Sequence, residues 1–432
     1  MATNQSRGSR LLAGLVVPAL LAAFVSATPI SHADNGYHGN FYIPPDPLPA
    51  GAPGDLIRTE PMTINIADDR PDLLDITATR ILYRSINTHG QPVAVSGTFI
   101  QPNTPWPGPG PRPLISFAVG THGQGDQCAP SRLIDVYLYH SRPLDVFLEY
   151  ELLVIQRMIR RGWAVVMTDY IGLGTPGVHT YVVRADEGHA VLDAARAAYQ
   201  LPDTGLDRHG PLALYGYSQG GGATAAAAEL APTYAPELPL VGTYAGAPPA
   251  DLSYELPFLD GSLAAGILGY VINAAIAAYP EYADAIHNVL TPDGEDLIAK
   301  TQNQCLGETI VNFMFRHAAR YLAVDADAAI KTEPFKTIFE QQRIGRLKPT
   351  TPVLINSNRY DPLVPYGPAL QLGHDWCAQG ADVQFNTNEA PPIFNKMMLN
   401  HGLPIVVDAP WVLNWIADRL NGLPTTPNCG AF

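Results

Sequence analysis

The chain has 432 residues, of which 47% are hydrophobic and 15% charged, and its 26 Lys and Arg against 40 Asp and Glu set a formal net charge of −14. That apolar share excludes a mostly disordered polymer, and the length provides a large core and more than one domain's worth of chain. A pI near 5.2 argues against nucleic acid as a partner, because phosphate backbones call for clustered Lys and Arg.

The first residues read as an address. Arg7 and Arg10 precede the apolar run from Leu11 to Val25, and Ser31-His32-Ala33 offers small residues where a signal peptidase cuts. The run is short for a transmembrane anchor, so residues 1–33 are expected to leave a secreted protein, extracellular or at the cell surface. Export places Cys128, Cys305, Cys377 and Cys429 in an oxidising compartment. An even count there predicts two disulfides with three connectivities open, Cys128 and Cys305 as buried free thiols being the alternative. There is no CxxC, no HExxH and no pair of histidines within four residues, so neither a metal nor a cofactor is expected.

Gly36 to Met62, rich in Pro and aromatic residues, is expected to wrap over a surface. Ile76 to Gln101 alternates apolar and polar residues around Asn87-Thr88-His89-Gly90, the pattern of an antiparallel hairpin. A strand–helix rhythm follows. Strands are predicted at Leu114 to Val119, Ala164 to Thr168, Leu212 to Tyr215 and Leu240 to Ala245, with helices at Leu148 to Arg161, Ala185 to Tyr199 and Gly221 to Leu230. The rhythm stops near Asp251. Ser253 to Arg346 carries helical segments and almost no strand signal, and its apolar stretch Leu263 to Tyr279 reads as a closely packed helix or a membrane-contacting lid. Strands resume at Pro352 to Asn356 and Val383 to Asn386, before a last helix at Ala409 to Leu420. Buried strands alternating with helices predict an α/β fold, a mostly parallel sheet covered on both faces. The expected division is a core over 34–250 and 347–432, with a helical cap inserted over 251–346.

The sharpest chemical signal is Gly216-Tyr217-Ser218-Gln219-Gly220, between an apolar strand and a small-residue helix. That context defines a nucleophile elbow: the turn is so tight that only small residues fit two before and two after the serine. A serine nucleophile needs a base and an orienting acid, arriving in the order acid, then histidine. Asp361 stands just behind the strand Pro352 to Asn356 and is preferred to Asp375, which lies in a predicted helix. His401 lies between the last strand and the last helix and is preferred to His374, which precedes that strand. Gly172-Leu173-Gly174-Thr175-Pro176-Gly177 matches GxGxxG, but Pro176 and the β-branched residues after it disfavour the helix a dinucleotide site needs. It is expected to be a tight loop lining the active-site edge of the sheet.

From about Phe41 to Cys429 the chain resembles the secretory lipase family, lipase A type α/β-hydrolases of fungi and bacteria. The resemblance is carried by Phe41-Tyr42-Ile43-Pro44-Pro45, Pro53-Gly54-Asp55-Leu56, Cys128-Ala129-Pro130-Ser131, Ala190 to Arg196, Tyr217-Ser218 with its glycines, Tyr234 to Leu238, Asp361 with Val364-Pro365-Tyr366, and Cys377 to Ala381. It implies an α/β-hydrolase fold, a Ser218–Asp361–His401 triad, and hydrolysis of triacylglycerols and simpler esters. It implies the pairings Cys128–Cys305 and Cys377–Cys429. For the oxyanion hole, the elbow itself supplies the Gln219 amide. The second donor should come from the loop Gly120-Thr121-His122-Gly123. Counted back from Cys128, the family position, an aspartate in fungal members, falls on His122, with Thr121 as the alternative. Fungal members also carry a C-terminal extension that covers the site, whereas this chain ends at Phe432, so closure by such a flap is not expected. The expected function is a secreted serine ester hydrolase, foremost a triacylglycerol lipase, acting on lipid or ester with transient contact at lipid–water interfaces. The alternatives are a carboxylesterase or acyltransferase for soluble esters, and a catalytically inactive surface-binding protein.

Overall fold

The computed structural model describes residues 40–64, 75–134, 138–141 and 145–432; the predicted signal segment lies outside them. The strands are β1 (Leu56–Met62), β2 (Ile76–Ile86), β3 (Pro92–Pro102), β4 (Leu114–Ala118), β5 (Leu138–Ser141) and β6 (Asp145–Leu148). They continue with β7 (Ala164–Thr168), β8 (Leu212–Tyr217), β9 (Leu240–Gly246), β10 (Val353–Asn358) and β11 (Val383–Asn388). Nine of them form one sheet in the order β1-β2-β3-β7-β4-β8-β9-β10-β11, while β5 and β6 pair separately as a short ribbon. From β7 to β11 neighbours are parallel, and β1, β2 and β3 extend the sheet as an antiparallel meander.

Every residue of β4, β7 and β8 is buried. Side chains alternate between faces along a strand, so unbroken burial means that both faces are covered. The covering helices are α1 (Leu152–Arg160), α2 (Arg184–Ala198), α3 (Gln219–Tyr234) and, near the end of the chain, Tyr366–Ala378 and Ala409–Leu420. Their small residues let them lie close: Ala190, Ala194, Ala197, Ala223 and Ala227 are all fully buried. This is the mostly parallel, doubly covered sheet the strand–helix rhythm predicted, and it agrees with the α/β-hydrolase fold that the family resemblance implied. The path from β4 runs outward to β7 and then crosses back to β8, so the C-terminal ends of β4 and β8 open a crevice at a topological switch point.

Residues 251–346 are helical, as expected, with α4 (Ile267–Ala278), α5 (Pro292–Thr301), α6 (Leu306–Phe313) and α7 (Phe335–Gln342) the main elements. The apolar stretch around α4 packs closely, since a Cβ on Gly269 would lie 2.4 Å from Thr301 Oγ1. Asn273 is buried and donates to the Gln124 amide oxygen and the Ile298 carbonyl. Disulfides join Cys128 to Cys305 and Cys377 to Cys429, the pairings implied by the family resemblance. The first ties the sheet's loop region to this helical stretch, and the second holds the C-terminal tail.

Two expectations need correction. Leu56–Met62, expected to wrap as irregular chain, is the edge strand β1; Pro61 obscured it, yet an edge position tolerates a residue without an amide donor. The helix expected from Leu148 begins only at Leu152, because Asp145–Leu148 is spent on the ribbon with Leu138–Ser141.

Candidate active site

Ser218 is the last residue before α3 and sits at φ 60°, ψ −124°, a region a side chain enters only under strain. The fold enforces it. A Cβ on Gly216 would lie 2.1 Å from the Gly220 carbonyl oxygen, and one on Gly220 would lie 2.0 Å from that of Ala118. Strand β8, the turn and strand β4 therefore approach more closely than any side chain at either glycine allows. Ser218 is pushed outward at the N-terminus of α3, where the helix dipole favours negative charge.

The His401 ring lies across the turn. Its Nε2 stands 2.8 Å from Ser218 Oγ, and its Nδ1 donates to Asp361 Oδ2 at 2.7 Å. The other carboxylate oxygen of Asp361 accepts from the Leu363 and Val364 amides at 2.9 and 3.0 Å. Asp361 and His401 are buried, and the Tyr217 hydroxyl donates to the His401 carbonyl at 2.8 Å, tying the histidine backbone to the serine turn. The structure thus brings together the three residues chosen from element order. One detail was not foreseen: His401 lies in the first turn of a short helix, Leu399–Val407, rather than in a loop. The competitors are elsewhere. His374 stacks on Phe432 with centroids 5.1 Å apart, and Asp375 pairs with Arg343.

Gln219 is held rigidly. Its side-chain amide donates to Glu187 Oε1 at 2.7 Å and to His179 Nε2 at 2.9 Å, while His179 Nδ1 donates to the Ile171 carbonyl at 3.1 Å. This pattern requires a neutral His179, consistent with burial pulling its pKa down to about 4. Burial pushes Glu187 up to about 8, against the bonds from Gln219 and the Val182 amide. The Gly172–Gly177 loop stays non-helical, and α2 starts only at Arg184. The loop leads into His179, whose ring bonds the Gln219 side chain next to Ser218. Glu187 and His179 were not singled out from sequence; nothing in their spacing marks them.

The oxyanion-loop candidates diverge. Thr121 lines the cavity next to Ser218, its hydroxyl 2.8 Å from that of Tyr181. His122 does not line it. Its ring is buried rather than exposed, with Nδ1 2.8 Å from the Gly120 carbonyl and Nε2 3.0 Å from Glu149 Oε2. The His122 imidazole is therefore turned away from the serine.

Ser218 and His401 open into a cavity of about 590 Å³, within the range of sites that bury a small molecule. Its walls come mainly from the 251–346 helices, with Leu256, Ile267, Val271, Ile310 and Phe335 among them, and from Leu153 and Ile405 on the other side. Glu255 is one of its few acidic residues. Burial raises its pKa well above the ordinary range, helped by Asp361. Among the described residues the cluster of ligand-type side chains that could hold a metal ion is His122, Glu149 and Glu151.

The sheet, the strained serine turn and the hydrogen-bonded line behind it define an α/β-hydrolase. The sequence profile of the secretory lipase family matches residues 140–428, and the chain belongs to that family. A probable inactive lipase of Mycobacterium tuberculosis is 30% identical over 390 residues, 89% of this chain and 82% of that protein. Lipase A of Arthroderma benhamiae is 27% identical over 399 residues, covering 90% of this chain and 80% of its own length. Among solved structures, Candida antarctica lipase A in its closed state superposes with a TM-score of 0.76 at 24% identity, covering 93% of this chain and 90% of that one. A rice cell wall degrading esterase of Xanthomonas oryzae gives 0.68 at 23% identity, over 86% of this chain and all of that one. The chain thus falls among carboxylic ester hydrolases.

Proposed function

We propose that the protein is a secreted triacylglycerol lipase working through an acyl-enzyme on Ser218. His401 Nε2 takes the serine proton as Oγ attacks the ester carbonyl, and Asp361 keeps the ring in the tautomer that presents a lone pair to the serine. The Gln219 amide faces the developing oxyanion at the head of α3. His401 then returns the proton to the departing alcohol, and water releases the acid by the same steps in reverse. The observation that carries this reading is the unbroken line Ser218–His401–Asp361 at the wall of an apolar cavity. It also weighs against an inactive protein, despite the M. tuberculosis relative.

Lipid rather than soluble ester is favoured by the cavity and by what surrounds it. Leu399, Leu403, Val406 and Val407 form an exposed stripe along the helix that carries His401, and Leu153 is exposed as well. Leu153 and Val406 also line the cavity, so one apolar surface runs from solvent to the serine. Such a patch suits a lipid–water interface, with the 251–346 helices as the cap. Secretion is supported by the N-terminal leader pattern, the two disulfides and the family. The test is a chain-length series of glyceryl and aryl esters, measured below and above their solubility. A rate that climbs with acyl length and with aggregated substrate supports a lipase. Preference for short soluble esters in both regimes contradicts it and points to a carboxylesterase, and acyl transfer to an added alcohol exceeding hydrolysis points to an acyltransferase.

A further inference from the structure

We propose that Glu149, His122 and Glu151 form a buried clamp that orients the peptide between Gly120 and Thr121, making them positioning residues for ester hydrolysis and the Thr121 amide the second oxyanion donor. The proposal rests on the Ser218 reading above.

The argument begins with the peptide bond. A trans peptide is planar, so the Gly120 carbonyl and the Thr121 N–H point in opposite directions. The carbonyl accepts from His122 Nδ1 at 2.8 Å, which turns the Thr121 N–H away from the His122 ring. That ring and Glu149 are buried away from the cavity, whereas Thr121 lines it together with Ser218. The Thr121 hydroxyl shares a hydrogen bond with that of Tyr181, and the backbone amide is the donor that the peptide orientation aims toward the cavity. The preceding amide, that of Gly120, donates to Glu151 Oε1 at 2.9 Å. Both peptides flanking Gly120 are thus held by side chains instead of by strand pairing. The loop borders the serine turn, since a Cβ on Gly120 would lie 3.4 Å from the Tyr217 carbonyl oxygen. If the 120–121 peptide flipped, it would present a carbonyl oxygen where an oxyanion needs a donor.

The clamp's charge state fits this task. Burial, the largest single influence, would depress His122, but the charge and hydrogen bond of Glu149, with Glu151 and the Gly120 carbonyl adding, together outweigh it and the ring rises to about 9. Burial pushes Glu151 up to about 8, with His122 pulling it down and Glu149 adding to the rise. Among the described residues, the other titratable groups facing the ring are Tyr150, which stacks on it at 5.5 Å and whose hydroxyl is raised further by burial, and the neutral His179. At neutral pH the ring is therefore an imidazolium, the only form that donates from both nitrogens: one hydrogen to Glu149, the other to the Gly120 carbonyl. A divalent cation is the competing occupant, because the three ligand atoms lie within 4.8 Å of one another and Glu149 Oε1 and Glu151 Oε2 are buried without hydrogen-bond partners. The direct 3.0 Å contact between His122 and Glu149 favours the shared proton.

The test compares Glu149→Gln and Glu149→Asp with the parent protein on a soluble short-chain aryl ester. Glu149→Gln keeps the size and removes the charge; kcat should fall about 10- to 100-fold with KM within about twofold, as expected for weakening one oxyanion donor. An alkaline fall of kcat is expected in the parent near pH 9, where His122 loses its proton; in Glu149→Gln it should move to lower pH by more than about one unit, while Glu149→Asp keeps it close to the parent's position. A folded Glu149→Gln with parental kcat and pH profile overturns the clamp, and so does a rise in KM alone. Stoichiometric divalent cation in the parent that is lost in Glu149→Gln also overturns it. If Glu149→Gln does not fold, nitrogen NMR of the parent decides: His122 protonated on both nitrogens at pH 7.5 supports the clamp, and a neutral ring overturns it. Ser218→Ala run alongside separates the two readings, because turnover surviving in that variant defeats the serine assignment and not the clamp.

Discussion

Glu187 makes the stability of this protein pH-dependent in a direction that can be worked out. It is fully buried beneath the Ser218 turn, and burial lifts its pKa to about 8 from an ordinary 4.5. Between those values the folded protein holds a proton that the unfolded chain releases. The native state then binds more protons than the unfolded one, so stability falls as pH rises through this window. One such group contributes a slope of about 1.4 kcal/mol per pH unit, or roughly 2–3 kcal/mol between pH 6 and 8. Glu151 and, above its ordinary 6.5, His122 act in the same direction. Glu187→Gln keeps an acceptor for Gln219 and the Val182 amide but cannot ionise, so its stability should decline less steeply with pH. The assay is urea unfolding of disulfide-intact protein at pH 6, 7 and 8 for both forms. Equal slopes would refute the assignment of a buried protonated carboxyl at 187. So would a parent protein more stable at pH 8 than at pH 6.5.

Other consequences follow from the same geometry. His401→Ala should lose at least about a thousandfold in ester turnover, whereas His374→Ala, which removes only a ring stacked on Phe432, should keep most of it; equal losses would overturn the choice of histidine. Removing Cys377–Cys429 by paired Ser substitution opens a 52-residue span, and removing Cys128–Cys305 opens one of 177. Chain entropy gives about 4 to 5 kcal/mol for each, so unfolding midpoints of both variants should fall well below the parent's, and an unchanged midpoint would contradict the estimate. Leu403→Asp with Val407→Asp, on the exposed stripe, should reduce adsorption to a triolein emulsion about tenfold or more while leaving soluble-ester turnover near parental. Loss of both would mean that the stripe supports the His401 helix rather than an interface.

Ser218, Asp361 and His401, which the structure brings into one hydrogen-bonded line, were legible because each is announced by local chemistry in a fixed order of elements. Gly216 and Gly220 mark a turn that nothing larger fits, while Asp361 and His401 each follow a recognisable strand. The supporting groups were not legible. Glu187 and His179 reach Gln219 from chain positions 32 and 40 residues away, and Glu149 reaches His122 from 27. No periodicity links such pairs; only the completed sheet brings them together. The same lack of a local signal hid β1, whose Pro61 and polar residues suit an edge, and the Leu399–Val407 helix, which contains Pro404. His122 illustrates the converse: its position in the loop suggested a donor to the substrate, but a buried carboxylate 27 residues on turns its ring away.

The central claim is that Ser218 is the nucleophile, and an alkyl phosphonate ester tests it most directly because it stops at the covalent adduct. Incubation with a p-nitrophenyl alkyl phosphonate should release one equivalent of nitrophenol, abolish turnover in proportion, and add the phosphonyl mass to the peptide carrying Ser218. Full loss of activity with the label on another residue, or full labelling of Ser218 with activity retained, would contradict the account.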